Sequence, residues 1–174
     1  MRKTPTFLVA AATTAAVLGA GSTALAAPAT YAQPVVESVS ATVIASPANG
    51  GFALVQARYR CYGGDAGTHL FIAVKQGPGV SPENPSSSPS MTAFYSTNYN
   101  SDGPALSLHC DGSTHTQMFR LKNDPYWVNS QENLPLTSGP ALVQFCLFDS
   151  TASENASSGF AFDYSMKTVR VVGA

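Results

Sequence analysis

The chain has 174 residues, of which 44% are apolar, 11% charged and 10% aromatic, with 14 glycines and 12 prolines. Such a length builds one domain, and so few charges exclude a coiled coil, a long-helix protein and an acidic disordered tail. A formal charge of −1, with no basic run beyond the first three residues, argues against nucleic acid as a partner, because a grip on phosphates needs a basic stripe.

Arg2 and Lys3 precede an apolar, small-residue run from Phe7 to about Gly21, followed by Ala24-Leu25-Ala26. These are the charged, greasy and small-residue parts of a secretory signal, so residues 1–26 are predicted to be a signal peptide cut after Ala26. The run is shorter than the ~20 apolar residues of a membrane span. No cysteine follows it to carry a lipid. The expected product is secreted and extracellular, with no membrane insertion after cleavage. Loss of Arg2 and Lys3 takes nine basic residues to seven, against ten acidic ones, so the mature protein is mildly acidic. Three cysteines exported to an oxidising compartment make one bridge and leave one over.

Residues 27–34 carry Pro28 and Pro34 and read as an N-terminal arm, since proline denies a ladder its donors. The domain proper spans 35–174. No stretch keeps a 3.6-residue apolar period, and short β-rich runs separated by turn residues predict strands at 35–45, 52–62, 69–76, 91–97, 105–110, 115–122, 141–149 and 160–172. Alternation places Val55, Ala57, Tyr59 and Cys61 on one inward face. The same rule turns in Leu70, Ile72 and Val74, then Leu106, Leu108 and Cys110, then Phe119 and Leu121, then Val143, Phe145 and Leu147. In the last strand Phe160, Phe162, Tyr164 and Met166 share one face while Val169 and Val171 have the opposite parity, which predicts a bulge or sheet switch near Lys167. Asp102-Gly103 and Asp111-Gly112 are tight-turn signals. The loop from Gly77 to Ser90 has little to bury and is expected to be mobile, whereas 123–140 holds enough apolar residues to fold back on the strands.

Tyr59-Arg60-Cys61, the run His69 to Gln76, Ala93-Phe94-Tyr95-Ser96-Thr97, the turn Cys110 to His115, and Val143 to Asp149 together resemble small secreted actinobacterial proteins of an uncharacterised family. The resemblance covers roughly residues 35–172 and implies an immunoglobulin-like β-sandwich, with no activity to carry over. The expected fold is thus an all-β, antiparallel immunoglobulin-like sandwich of about seven to eight strands with one disulfide. In that strand order Cys61, Cys110 and Cys146 all approach one pole. Parity favours Cys61 with Cys110, because Cys146 is out of phase with Val143, Phe145 and Leu147. The antibody-like pairing of Cys61 with Cys146 stays open. Under the favoured pairing Cys146 is a free, buried thiol.

Catalytic signals are sparse. Asp111, Ser113 and His115 have the residue types of a hydrolytic triad, but lie within five positions on a turn, and no Gly-x-Ser-x-Gly elbow occurs. His109, Cys110, Asp111 and His115 suit zinc or copper, yet an oxidised Cys110 cannot ligate and His109 has the opposite parity. Asn98, Asn100, Asp102 and Gly103 begin like a calcium loop that fails at its twelfth position, His109. No catalytic residue, metal or cofactor is assigned. Tyr95, Tyr99, Tyr126 and Trp127 fall on strand ends and loops and are the candidate ligand-contact aromatics. The expected function is a secreted, non-catalytic binding or cell-surface interaction module whose partner is a protein, a glycan or a small molecule. The alternatives are a carrier of a small apolar metabolite and a secreted hydrolase using His69, His109 or His115.

Overall fold

The computed structural model describes residues 33–48, 51–62, 68–85, 91–97, 108–124, 133–149 and 159–173. They form eight strands: β1 (Val35–Val39), β2 (Thr42–Ser46), β3 (Phe52–Arg60), β4 (Thr68–Gln76), β5 (Ala93–Ser96), β6 (Thr114–Asn123), β7 (Gly139–Asp149) and β8 (Phe160–Val171). The predicted strand 35–45 is broken into β1 and β2 at Ser40, whose hydroxyl accepts from the Thr42 N–H at 3.2 Å. The strand expected at 105–110 is not seen: residues 108–110 form none, and 105–107 lie outside the described residues, as do the signal segment, most of the arm and the Asp102-Gly103 turn.

The expected antiparallel immunoglobulin-like sandwich is overturned. The strands close into a seven-stranded mixed barrel in which β3 pairs with β6, β6 with β5, β5 with β4, β4 with β7, β7 with β8, β8 with β2, and β2 again with β3. The β2–β8 contact is parallel, from Thr42↔Thr168 to Ala45↔Val171, and the others are antiparallel. β1 continues the β2 side of β3, from Val35↔Arg60 to Val39↔Ala57. Alternation could not reveal this closure, because one sheet rolled on itself and two sheets packed face to face bury the same alternate residues. The short strands β2 and β5 decide it by bonding along both edges.

The inward parity otherwise holds. Val55, Ala57, Tyr59 and Cys61 are buried, with Ile72, Val74, Phe119, Leu121, Val143, Phe145 and Leu147. Phe119 and Phe145 meet edge to face with centroids 5.6 Å apart, and Tyr59 packs tilted against both at 6.1 and 6.5 Å. Large rings from three strands thus fill the middle of the barrel, where Phe145→Ala would cost about 3–5 kcal/mol.

Cys61, just after β3, is bridged to Cys110, just before β6, with Cα atoms 4.4 Å apart. The Gly112 N–H bonds the Cys61 carbonyl at 3.0 Å, and the Asp111 carboxylate accepts from the Ser113 N–H at 2.8 Å. Gly112, at φ 85°, makes the expected Asp-Gly turn, and a side chain there would press on the Tyr62 ring. The bridge closes a span of 49 residues that contains β4 and β5. Replacing both cysteines by alanine should lower stability by about 4 kcal/mol in the chain-entropy model, read as a fall in the urea midpoint with a steeper slope, because the unbridged unfolded chain is more expanded.

Candidate functional site

The outer face of the β4–β7–β8 sheet is apolar and aromatic, which a barrel with its core on the inner face alone would not require. Register places four rows across it: His69, Phe148 and Phe160; Phe71, Cys146 and Phe162; Ala73, Gln144 and Tyr164; Lys75, Leu142 and Met166. Paired residues of antiparallel strands share a face, so each row is a line of neighbouring side chains. β7 is therefore buried on both sides, its inner set in the core and its outer set, Leu142, Gln144 and Cys146, beneath these rows. The β4 half is covered. Phe71 and Ala73 pack with Val80, Met91 and Phe94 in a second apolar cluster. Lys75, 5% exposed, donates to the Pro85 carbonyl and lies over the Phe94 ring at 5.4 Å. The described part of the 77–90 loop is thus packed on the sheet, in contrast to the mobile loop expected.

The β8 half stands outward. β8 pairs with β7 in unbroken register from Phe160 to Val169, so the predicted bulge near Lys167 is absent. Only the other edge changes, where β2 joins at Thr168. The parity conflict is resolved because the aromatic set faces out while Ala161, Asp163, Ser165 and Lys167 face in. Lys167 Nζ donates to the Val39 carbonyl at 3.0 Å and lies 3.7 Å from Asp163, tying β8 to β1 through a polar seam.

The result is an aromatic ladder. Centroids of Phe160 and Phe162 are 5.3 Å apart, those of Phe162 and Tyr164 4.9 Å, with interplanar angles of 40° and 47°. Phe148 extends the line at 6.4 Å from Phe160, and His69 stacks on Phe148 at 5.5 Å. Phe162 is 57% exposed and Met166 45%. At the foot of the ladder the Cys146 thiol, free and 2% exposed, donates to Tyr164 Oη at 3.2 Å. Beside it Gln144 Oε1 is buried without a hydrogen-bond partner, at a cost of about 1–3 kcal/mol.

At the disulfide pole His115 Nε2 lies 2.8 Å from Asp111 Oδ1, and the His109 and His115 rings are 5.2 Å apart. The Tyr59 hydroxyl donates to Gln117 Oε1 at 2.7 Å and accepts from the His109 N–H at 3.0 Å. Burial pushes the Tyr59 phenol up, opposed by that N–H. The hydrogen bond from His115, followed by that from the Ser113 N–H, holds Asp111 below the usual carboxylate range. Glu37 is likewise lowered, first by Thr114 and then by Arg58, whose Nε is 2.6 Å away. Ser113 bonds Asp111 through its backbone N–H and, more weakly, its side chain, so serine and histidine both address the carboxylate, the geometry of a capped turn and not of a triad, in which histidine would stand between the two. Among the described residues no cluster of three metal-ligating side chains occurs.

A cleft of about 520 Å³ opens at the barrel end where β4 and β7 meet the 133–138 segment. Leu134, Pro135 and Pro140 line it beside Gln76, Thr92 and Thr137, and none of its lining residues titrates. Gln76 holds the segment down, its amide donating to the carbonyls of Thr137 (2.8 Å) and Pro140 (3.1 Å) and accepting from the Thr137 N–H at 2.9 Å.

Of the four candidate ligand-contact aromatics, Tyr95 belongs to the core, at 2% exposure with its ring against Gly51, and cannot stack on a surface ligand. Tyr99, Tyr126 and Trp127 lie outside the described residues, as does the calcium-like run from Asn98 to Gly103. The ladder went unrecognised because shared parity says which residues lie together, not which way they point. Compared with known protein families, curated proteins and solved structures, the chain matches none.

Two outcomes follow. Cys146 should react with a maleimide only on unfolding, as a peptide map of protein labelled with and without denaturant would show. Glu37 and Asp111 have folded-state values below their unfolded ones, so their stabilisation is full above the ordinary carboxylate range and fades as pH falls through the lowered values. Thermal midpoints should fall less between neutral pH and about pH 3 in a Glu37→Gln, Asp111→Asn variant than in the parent.

Proposed function

We propose that the protein is a secreted, non-catalytic module that binds a protein partner through the aromatic ladder of β8. The observation that carries the reading is the exposure of Phe162 and Met166 in a row with Phe160 and Tyr164, on a face whose only charged row member, Lys75, is buried under the 77–85 segment. Exposed aromatic rings concentrate binding energy, because they bury much area for few rotatable bonds. A flat glycan platform fits less well. Two of the three rungs are phenylalanines, the rings are tilted, and the one ladder hydroxyl already accepts from Cys146.

A second reading, a carrier of a small apolar molecule, is favoured by the cleft lined by Leu134, Pro135 and Pro140. The barrel interior offers it no room, since Tyr59, Phe119 and Phe145 fill its middle. Native mass spectrometry of protein taken from culture would report a bound metabolite, and a clean unliganded mass counts against that reading.

The main reading predicts that Phe162→Ser weakens partner binding at least tenfold while shifting the thermal midpoint by no more than about 2 °C, since the side chain is mostly outside the core. Surface plasmon resonance with a partner isolated on the immobilised protein tests it. Equal binding by parent and variant would remove the ladder from the function. Binding only on a glycan array would replace a protein partner by a sugar.

A further inference from the structure

We propose that the ladder's occupant is a second copy of this chain, packed ladder to ladder about a twofold axis near Phe162. The inference rests on the reading of the ladder as a contact surface and names what sits on it. A twofold contact requires a surface complementary to itself, because each copy presents the same patch. The ladder meets that condition in shape. Phe160, Phe162 and Tyr164 are alternate residues of one unbroken strand, so they form a line about 14 Å long. Neighbouring rings touch, with centroids 5.3 and 4.9 Å apart, and their planes are tilted by 40° and 47°, so the ladder presents both edges and faces outward. An identical ladder run in the opposite direction can lie across it with edges against faces, the arrangement aromatic pairs prefer. With the axis at Phe162, Phe160 of one copy meets Tyr164 of the other.

Charge points the same way. The outward residues from Phe160 to Met166 carry none, and the neighbouring rows add only His69 and the buried Lys75. The first charged outward residue of β8 is Arg170, eight positions from the axis, so it lies beyond the partner's ladder. Among the described residues of these rows, self-association therefore opposes no like charges.

Area sets the strength. Phe162 alone offers about 110 Å² of a side chain of ~200 Å², given its 57% exposure. With Met166 and the partly exposed Phe148, Phe160 and Tyr164, the apolar stripe is on the order of 350 Å². Two such stripes face to face bury about 700 Å² of apolar surface, less than a stable specific interface, so the contact is of the weak, transient class. A dimer in the micromolar range or weaker is the expected result.

Sedimentation velocity of the purified protein over roughly three decades of concentration centred on the micromolar range tests this. Expected are a monomer–dimer shift, a dissociation constant raised at least tenfold by Phe162→Ser, and no change with Met118→Ser, an equally exposed residue on β6 away from the ladder. Circular dichroism of both variants should match the parent. In a Cys146→Ser background, which removes the thiol opposite position 162 on β7, Phe162→Cys should give an intermolecular disulfide on mild oxidation, because the axis brings the two copies of that position together. A monomer at every concentration overturns the proposal, as does a dimer indifferent to Phe162→Ser. If the protein is monomeric yet Phe162→Ser abolishes binding of a different protein, the second copy is the wrong occupant and the ladder remains the contact surface. If neither self-association nor any partner depends on Phe162, both readings fall.

Discussion

The barrel depends on a seam two residues wide. Among the described residues, Tyr95↔Asn123 and Ser96↔Lys122 are the paired positions between β5 and β6, extended by the Asp124 N–H bonding the Phe94 carbonyl at 3.0 Å, and without them the sheet would end at β5. So short a ladder needs help from side chains. Asn133 supplies it by acting as a one-residue strand, accepting from the Phe94 N–H at 2.9 Å and donating to the Phe94 carbonyl at 2.8 Å, while also donating to Asn123 Oδ1. Ser96 Oγ adds a bond to the buried Asp124 carboxylate at 2.7 Å. Each such bond contributes about 1 kcal/mol net, but leaving any of these buried groups unpaired would cost more. The seam also fixes the neighbourhood. Leu136 reaches the core because Asn133 and Gln76 pin the chain at either end of the 133–138 segment, and the cleft beside β7 is the space left over.

Closure makes β7 a strand with two buried faces. Its inner residues meet Tyr59 and Phe119, and its outer ones lie under the rows that join β4 to β8. That outer layer is finished over β4, where Val80, Met91 and Phe94 cover Phe71 and Ala73. Over β8 it ends in exposed rings. Leaving Phe162 and Met166 about half exposed forgoes roughly half of the ~1.5–3 kcal/mol that full burial of each contributes, which a second protein surface can restore.

Much of the fold was legible. Strands β3, β4, β6, β7 and β8 lie within a few residues of their sequence-based bounds, because alternation of side chains is a local property of extended backbone. The pairing of Cys61 with Cys110 was the one favoured over Cys61 with Cys146, although the strand whose parity favoured it is not formed at 108–110. The break at Ser40 was not legible, since both halves of the first strand have β-forming residues and only the move of β2 to β8 demands a bend. Tyr95 read as a surface ring because β5 is too short to show a period, and its three buried apolar residues, Ala93, Phe94 and Tyr95, belong to two different clusters.

The sequence by itself determined most of the strand content and the residues that share each face, because these depend on a period of two along one chain. Tertiary structure alone decided that the sheet closes, and that Phe160, Phe162 and Tyr164 point outward. Closure depends on edge pairing between distant segments, and an inward or outward sense depends on what the opposite strand presents. For β8 the inward side meets β1, and the Val39 carbonyl there draws Lys167 inward. With Lys167 held inside, every even-numbered residue of β8 must face the solvent, aromatic or not.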